Sequence, residues 1–157
     1  GTMGGALRMN AGCHHHETWE FVDAIKTVDR YGQCYQHTPY DYQIAYRSVK
    51  GAEKAVDEQF FISADFQFIP GDKHIALNEI RSLLKYRTDT QPTNEPSCGS
   101  VFRNPANDHA ARLIETCGLK GFRVGGAQVS SKHANVIIND GSATAADIEH
   151  LIDHVQS

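Results

Sequence analysis

Alternating hydrophobic and polar residues predict a half-buried strand over residues 62–69. The apolar side chains there share one face, which consists of Ile62, Ala64, Phe66 and Phe68. A period of two is typical of a strand with one face in the core. A second strand is predicted over residues 19–28, and the turn at 29–32 would lead into a return strand over 33–37.

Apolar residues recur at helical spacing in three other segments. Residues 73–86 place Ala76, Ile80, Leu83 and Leu84 on one face, which predicts an amphipathic helix. A shorter helix is predicted to be capped by Asp108, to end at Gly118 and to point Leu113, Ile114 and Cys117 inward. The last helix follows Thr144, with Asp147 three positions later, and carries the stripe Ile148, Leu151, Ile152 and Val155.

The order of these elements indicates an α+β fold. A short strand is predicted over residues 135–139, just before the last helix. Residues 1–12 are expected to form a glycine-rich loop and residues 40–47 a short connector. Strands and helices mix without the regular alternation that a parallel sheet requires.

Composition excludes several classes of partner. The 157 residues carry a formal net charge of -4 without a basic cluster, which argues against a nucleic-acid surface. No apolar run approaches the roughly 20 residues that span a bilayer, so no membrane segment is expected. The four cysteines are scattered, with no CxxC pair, which favours reduced thiols and a cytoplasmic protein.

Two polar loops, 97–105 and 125–135, carry the densest candidate chemistry. Joined by one short helix, they could converge on a single ligand, because sites are usually built from loops on a rigid scaffold. Ser100 could donate a proton only to a strongly basic acceptor. Taken alone, a Gly-Ser sequence is far more often an ordinary turn, and the same holds for Arg103 and Asn104.

Three further features have a functional and an ordinary interpretation. The planar guanidinium of Arg47 suits a carboxylate or phosphate, although most such arginines are surface cations. His133, beside Lys132, could contact a phosphate or sugar, or simply lie in a solvated loop. The glycines of residues 1–5 would let backbone N–H groups approach an anionic cofactor, but they do not form a G-x-G-x-x-G motif.

The run Cys13-His14-His15-His16 suggests a metal site at first sight. Consecutive ligands rarely close a tetrahedral site, and no complementary Cys/His cluster occurs elsewhere in the sequence. We therefore predict no metal site, and a metal-binding protein is kept as the weakest alternative.

The run Gly99-Ser100-Val101-Phe102-Arg103-Asn104-Pro105 resembles the GSVFKNP signature of the UDP-N-acetylenolpyruvoylglucosamine reductase (MurB) family. The resemblance continues through residues 119–130, 132–135 and 141–147. Upstream, residues 1–6 and 9–12 resemble a segment that contacts FAD in the family, and Tyr46-Arg47-Ser48 resembles its YRxS motif. The resemblance as a whole covers essentially the entire chain. It implies part of an FAD-binding domain of the PCMH/VAO type over residues 1–50. An α+β substrate-binding domain over 51–157 would follow.

The resemblance implies an enzyme that reduces UDP-N-acetylglucosamine enolpyruvate to UDP-N-acetylmuramate with FAD and NADPH, in peptidoglycan synthesis. Ser100 would be the proton donor, and Arg47 would hold the enolpyruvyl carboxylate. The residues implied to face the flavin are Thr2, Gly4, Gly5, Asn10 and Gly12, and the implied substrate contacts are Asn104 and His133. The full-length protein would be a cytoplasmic monomer.

The sequence also departs from the family pattern. The family's N-terminal FAD pyrophosphate loop and its catalytic glutamate, on an LEPEVR-like strand, have no counterpart here, and Glu149 does not match the glutamate's position. We therefore expect a chain truncated at both ends and catalytically incomplete by itself. A non-catalytic module that retains UDP-sugar binding is the main alternative.

Overall fold

An antiparallel three-stranded sheet lies at the centre of residues 1–72, the first of two units in a computed structural model that describes residues 1–157. The elements of this unit are α1 (Met3–Arg8), β1 (Gly12–Cys13), β2 (His16–Glu17), β3 (Val22–Val28), β4 (Cys34–His37), β5 (Tyr42–Ala45), β6 (Ser48–Gly51), α2 (Lys54–Asp57) and β7 (Phe60–Phe66). Short 3-10 turns occupy Thr18–Phe21 and Pro39–Asp41. The central sheet has the order β4–β3–β7, and β1–β2 and β5–β6 form separate hairpins.

The core of the first unit packs aromatic rings against aliphatic side chains. Its buried members are Leu7, Trp19, Val22, Ile25, Tyr42 and Val49. The rings of Trp19 and Tyr42 lie 4.9 Å apart, and the indole N–H of Trp19 donates to the carbonyl of Leu7 at 2.7 Å. The predicted turn at residues 29–32 and its return strand are confirmed as the β3–β4 hairpin.

Strand β7 is confirmed but ends at Phe66, and the predicted inward face is right for Ala64 and Phe66 and wrong for Ile62 and Phe68, which are exposed. Phe61 pairs with Thr27 and Ser63 with Lys26, so Ile62 is an extra, unpaired residue in a bulge. The bulge leaves Ile62 exposed and allows Phe61, Ala64 and Phe66 to pack on the core. A single inserted residue thus changes the face on which every earlier side chain of the strand lies.

Three boundaries in the first unit also differ from the predictions. Residues 3–8 form helix α1 instead of a loop, and Thr2 caps it by accepting from the N–H of Gly5 at 3.1 Å. Strand β3 begins at Val22, after the 3-10 turn. Residues 42–45, predicted as a connector, are strand β5, because the buried ring of Tyr42 anchors that segment in the core.

The second unit, residues 73–157, is built on a four-stranded antiparallel sheet. Its elements are α3 (Lys73–Thr90), β8 (Ser97–Ser100), α4 (Ala110–Thr116), β9 (Arg123–Val124), β10 (Ala127–Val129), β11 (Val136–Asn139) and α5 (Ala145–Gln156). The sheet has the order β8–β11–β10–β9. The α+β class is confirmed, and the domain boundary after residue 50 stays a prediction.

Helix α5 covers the core of the second unit as predicted. Thr144 and Asp147 form a reciprocal capping box, and Leu151 is fully buried against Ala127 and Val129. Helix α4 ends at Gly118 with φ +71, as predicted, but it buries only part of the predicted face. Ile114 is buried, whereas Leu113 and Cys117 are exposed.

Helix α3 is confirmed and is four residues longer than predicted. The helix extends to Thr90. On its predicted apolar face, the side chains of Ile80 and Leu84 are 51% and 58% exposed. All four cysteines are free and exposed. None of the helices combines the length and the apolar character that crossing a membrane requires.

Candidate functional site

Ser100 ends strand β8, where it lies opposite Val136 of β11. Three steps along β8, from Ser97 to Ser100, match only two along β11, from Ile138 to Val136. The extra residue forms a bulge in which Gly99 has φ +83. A bulge redirects the side chains next to it, and the side chain of Ser100 is exposed.

Asn135 joins the two polar loops. Its backbone carbonyl accepts from the N–H of Val101 at 2.9 Å. Its side-chain Oδ1 accepts from the N–H of Phe102 at 2.9 Å, and Nδ2 donates to the carbonyl of Phe102 at 2.8 Å. The two loops are therefore joined by hydrogen bonds, and Ser100 lies immediately before the joined segment. Their convergence on one ligand stays a prediction.

Asn104 caps helix α4 in place of the predicted Asp108. The Oδ1 atom of Asn104 accepts from the N–H of Ala110 at 3.0 Å. Asp108 instead accepts from the N–H of His109 at 2.7 Å and pairs with Arg112. The hydrogen bond from Arg112, with that of the His109 amide, holds the pKa of Asp108 well below its usual range.

His133 is half-buried in the loop before β11. Its Nδ1 accepts from the N–H of Asn135 at 3.3 Å, which assigns the ring proton to Nε2 in the neutral imidazole. The buried hydroxyl of Ser130 accepts from the N–H groups of Lys132 and His133 at 3.1 and 3.4 Å. The loop is therefore ordered by its own polar groups and offers Nε2–H as a donor.

A cleft of about 590 Å³, the β8 cleft, adjoins the strand that carries Ser100. Its polar lining includes Arg87, Thr88, Gln91, Thr93 and Glu95 together with residues 97–99 of β8. Lys132 Nζ donates to the carbonyl of Thr88 at 3.2 Å and so ties the second polar loop to helix α3. Such a lining suits a ligand rich in hydroxyl and phosphate oxygens.

Arg47 lies in the first unit, at the turn of the β5–β6 hairpin, with φ +52. Its guanidinium donates to the carbonyls of Asn10 at 2.9 Å and Gly12 at 3.3 Å and lies over the ring of Tyr46, 5.1 Å from the centroid. These bonds occupy two of its five donors. The group is held in place and keeps donors for a carboxylate.

Asn10 and Gly12 have structural tasks of their own. Asn10 is 1% exposed, and its amide donates to Glu17 Oε2 at 2.6 Å and accepts from the N–H of Trp19 at 3.3 Å. A Cβ on Gly12 would lie 2.6 Å from the carbonyl oxygen of His16, across the β1–β2 hairpin. Their predicted contacts with a flavin stay predictions.

Two pockets of the first unit contain the other predicted cofactor residues. The α1 pocket, about 510 Å³, is lined by Thr2, Gly4 and Gly5 with Arg8 and Arg30. The hairpin pocket, about 340 Å³, is lined mainly by the apolar surfaces of residues 11–13, 16–18 and 21. Nothing lies within 4 Å of a Cβ position on Gly4, so space is left at the α1 pocket. The α1 pocket is also largely apolar, and the carboxylates of Asp57 and Glu58 share its lining with the two arginines. The two pockets together offer cations and apolar surfaces, which a cofactor with phosphates and a flat ring system would need.

The Cys13–His16 run forms the turn of the β1–β2 hairpin. His14 and His15 have φ of +50 and +69, as the two central residues of a type I′ turn require. His16 Nδ1 lies 2.8 Å from Glu20 Oε2. No group of three or more His, Cys, Asp or Glu side chains in the structure could hold a metal ion.

Sequence reasoning missed Asn135 and Glu17 as site-forming residues. Asn135 stood in the motif Lys132-His133-Ala134-Asn135, but its partner lies 33 positions earlier. Glu17, the partner of Asn10, occurs in a polar run without a distinctive pattern. The only sequence signal for Asn135 is that an asparagine directly precedes the apolar strand Val136–Asn139.

Comparison with known families and solved structures agrees with the motifs. The profile described as "UDP-N-acetylenolpyruvoylglucosamine reductase, C-terminal domain" matches residues 91–157. The crystal structure of MurB from Thermus caldophilus superposes with a TM-score of 0.84 at 31% identity, covering 98% of this chain and 55% of that chain.

Curated relatives match over the whole length of the chain. A UDP-N-acetylenolpyruvoylglucosamine reductase of Legionella pneumophila (strain Paris) is 56% identical over 158 residues, which covers 100% of this chain and 51% of that protein. The protein of the same name from Methylococcus capsulatus is 53% identical, covering 99% of this chain and 50% of that protein. The chain is therefore similar over its whole length to UDP-N-acetylenolpyruvoylglucosamine reductases, and it spans about half the length of the curated relatives it matches.

Proposed function

We propose that these residues form part of a reductase that converts UDP-N-acetylglucosamine enolpyruvate to UDP-N-acetylmuramate. FAD would be the bound cofactor and NADPH the reductant, in the synthesis of peptidoglycan precursors. The observation that carries the proposal is the setting of Ser100. Its exposed hydroxyl follows a bulge, precedes a segment joined to Asn135, and lies at the end of the strand whose residues 97–99 line a polar cleft.

A bound flavin supplies the hydride that adds to the enolpyruvyl double bond. The electron pair of that bond then resides on the neighbouring carbon, and the Oγ–H of Ser100 gives this carbon a proton. A serine is a weak acid, but a carbanionic centre is basic enough to accept from it. Because Ser100 is exposed, its hydroxyl can regain the proton from water.

Arg47 would bind the substrate carboxylate and stabilise the enolate-like charge. Its guanidinium is already oriented by the carbonyls of Asn10 and Gly12, so little reorganisation is needed when charge develops. A planar group with several donors suits both oxygens of a carboxylate.

Asn104 and His133 would contact the nucleotide sugar as donors. Because Asn104 Oδ1 is engaged by helix α4, its Nδ2 is the group available for a substrate oxygen. His133 would present Nε2–H for the same reason, since its Nδ1 is engaged by the backbone of Asn135.

Thr2, Gly4 and Gly5 would line the part of the cofactor site that contains the two arginines, and Gly12 would lie beside its other part. Asn10 is buried, and it would support the cofactor site by holding residues 17–19 in place through its hydrogen bonds to Glu17 and Trp19. The place of action would be the cytoplasm, and the full-length protein would be a monomer, as the family resemblance implies.

Calorimetric titration of the purified chain with UDP-N-acetylglucosamine enolpyruvate, with and without FAD, tests the proposal. We expect saturable binding that Arg47→Ala abolishes. Arg81→Ala, an exposed arginine on α3, is the matched control and should bind as the parent chain does. Absence of binding to both substrate and FAD, in the folded chain and in a longer form that contains it, would overturn the proposal.

Turnover separates the proposal from its alternative. Oxidation of NADPH that depends on the UDP-sugar supports a reductase, in the chain itself or in a longer form that contains it. Substrate binding that is never accompanied by turnover in the FAD-loaded protein supports a non-catalytic UDP-sugar-binding module.

A further inference from the structure

We infer that Asn135 is a positioning residue for Ser100, an inference that rests on the proposed function. Its side chain reproduces the two hydrogen bonds of a peptide group where the β8–β11 pairing ends. The last backbone pair of that ladder joins Ser100 to Val136. Beyond that pair, the backbone of Asn135 binds Val101 and its side chain binds Phe102, the two residues that follow β8.

The geometry of Asn135 is specific to an asparagine. The residue is 4% exposed, and both polar atoms of its amide bind the backbone of Phe102, at 2.9 and 2.8 Å. An aspartate would offer no donor to the Phe102 carbonyl when ionised, and an alanine would offer neither group. A glutamine would place the same amide one bond further from the backbone.

The bonds made by Asn135 determine where the Ser100 hydroxyl lies. Ser100 is flanked on one side by Gly99, which has φ +83. A glycine has no side chain and adopts many backbone conformations, so it restrains the position of Ser100 little. Besides the pairing of Ser100 with Val136, restraint comes from the other side, where Val101 and Phe102 each bind Asn135. Removing the amide frees the backbone two residues from the reacting hydroxyl.

Asn139 provides a matched control at the other end of the same strand. Its Oδ1 also accepts from two backbone N–H groups, those of Gly141 at 2.8 Å and Ala143 at 3.1 Å. These bonds order the turn before α5 and do not involve residues 100–104. Asn139→Ala therefore reports the loss of a comparable amide without disturbance of the Ser100 segment.

The test uses the FAD-loaded protein in the longer form that contains this chain, and it separates the two half-reactions by stopped-flow absorbance. Reduction of the flavin by NADPH does not require Ser100, whereas reoxidation by the UDP-sugar does. We expect Asn135→Ala to slow reoxidation about tenfold to a hundredfold and to leave reduction within twofold of the parent. Asn139→Ala should change neither rate by more than twofold.

Hydrogen exchange of the Phe102 amide gives a second readout that needs neither cofactor nor activity. It should exchange at least about tenfold faster in Asn135→Ala than in the parent, after correction for global stability, because its acceptor is lost. The Ile138 amide should be unaffected. If Asn135→Ala fails to fold, Asn135→Asp, which keeps an acceptor and loses the donor, takes its place with the same expected slowing of reoxidation.

Three results would count against this role. Equal slowing of both half-reactions, unchanged reoxidation in a folded variant, or unchanged Phe102 exchange in a folded Asn135→Ala would each overturn the inference. If the parent's reduced flavin is not reoxidised by the UDP-sugar at all, the proposed function itself fails. That last result is visible before any variant is made, so the two failures are distinguishable.

Discussion

The side-chain oxygen of Asn104 accepts a hydrogen bond from the backbone N–H of Ala110, 3.0 Å away. The bond satisfies an N–H group in the first turn of α4, which would otherwise lack an intrahelical partner. The bond also fixes the orientation of the side-chain amide, because it engages the oxygen and leaves the NH₂ group free of α4. One residue thus stabilises a helix and keeps its NH₂ group available as a donor.

Asn104→Asp should separate these two tasks. A carboxylate can accept from the Ala110 N–H as well as an amide can, and negative charge near a helix N-terminus is favourable. We therefore expect unfolding free energy within about 0.5 kcal/mol of the parent and at least about tenfold weaker UDP-sugar binding, because the donor is lost. Chemical denaturation and calorimetry measure the two quantities.

Asn104→Ala is the control for that substitution. It removes cap and donor together, so it should lower the unfolding free energy by about 1 kcal/mol as well as weaken binding. Equal stability of the alanine and aspartate variants would contradict the assigned cap.

Arg47→Lys should weaken substrate binding about tenfold to a hundredfold. Lysine keeps the positive charge but lacks the planar fork that binds two carboxylate oxygens and reaches two carbonyls at once. The strained φ of +52 is the same for both side chains, so the backbone cost cancels in the comparison. Calorimetric titration gives the affinity, and Arg81→Lys should leave it unchanged. Full affinity in Arg47→Lys would show that charge alone suffices.

Gly99→Ala should lower the unfolding free energy by about 1–2 kcal/mol, because an L side chain disfavours φ near +83. The cost is conformational alone, since nothing lies within 4 Å of the Cβ position. Asparagine tolerates this region better, so Gly99→Asn should cost less. Urea denaturation measures both variants. Equal losses in the two would point to a clash instead of backbone strain.

Elements whose signals are local could be predicted from the sequence. Helix α5 carries its start in Thr144 and Asp147 and its buried stripe at Ile148, Leu151, Ile152 and Val155. Helix α1 could not be predicted, because its glycines have low helix propensity. It is stabilised by tertiary contacts, since Leu7 is 1% exposed and its carbonyl accepts from Trp19.

The candidate site shows the same division between local and distant information. Ser100 and Arg47 could be identified from short motifs that stand in the sequence. The bulge at Ile62, the cap from Asn104 and the bonds of Asn135 depend on which residue lies opposite in another segment. A pattern read along one segment contains no information about that partner.

Tyr42→Phe should leave stability unchanged or raise it by up to about 1 kcal/mol. The hydroxyl of Tyr42 is buried without a hydrogen-bond partner, so removing it relieves a desolvation cost and breaks no bond.

The same burial raises the pKa of Tyr42 to about 12. Because the folded pKa exceeds the unfolded one, the parent should lose stability as the pH rises above 10, and Tyr42→Phe should lose less. Thermal denaturation between pH 8 and 11 measures both effects, and a clear loss of stability at neutral pH would indicate an unrecognised partner.

Asp147→Asn should reduce the dependence of stability on acid pH. Hydrogen bonds from the backbone N–H and side chain of Thr144 hold the pKa of Asp147 below its ordinary value of 3.8. A carboxyl with a depressed folded pKa contributes stability above its unfolded pKa and loses it as the pH falls through the folded one. The amide of the variant can still accept from Thr144 but does not titrate in this range. The difference in urea midpoint between parent and variant should therefore be largest near pH 6 and shrink below pH 3.8. Asp153→Asn, on the same helix outside the capping box, is the control for the loss of one carboxylate. A constant difference between parent and Asp147→Asn down to pH 2 would show that the capping carboxylate does not titrate with folding.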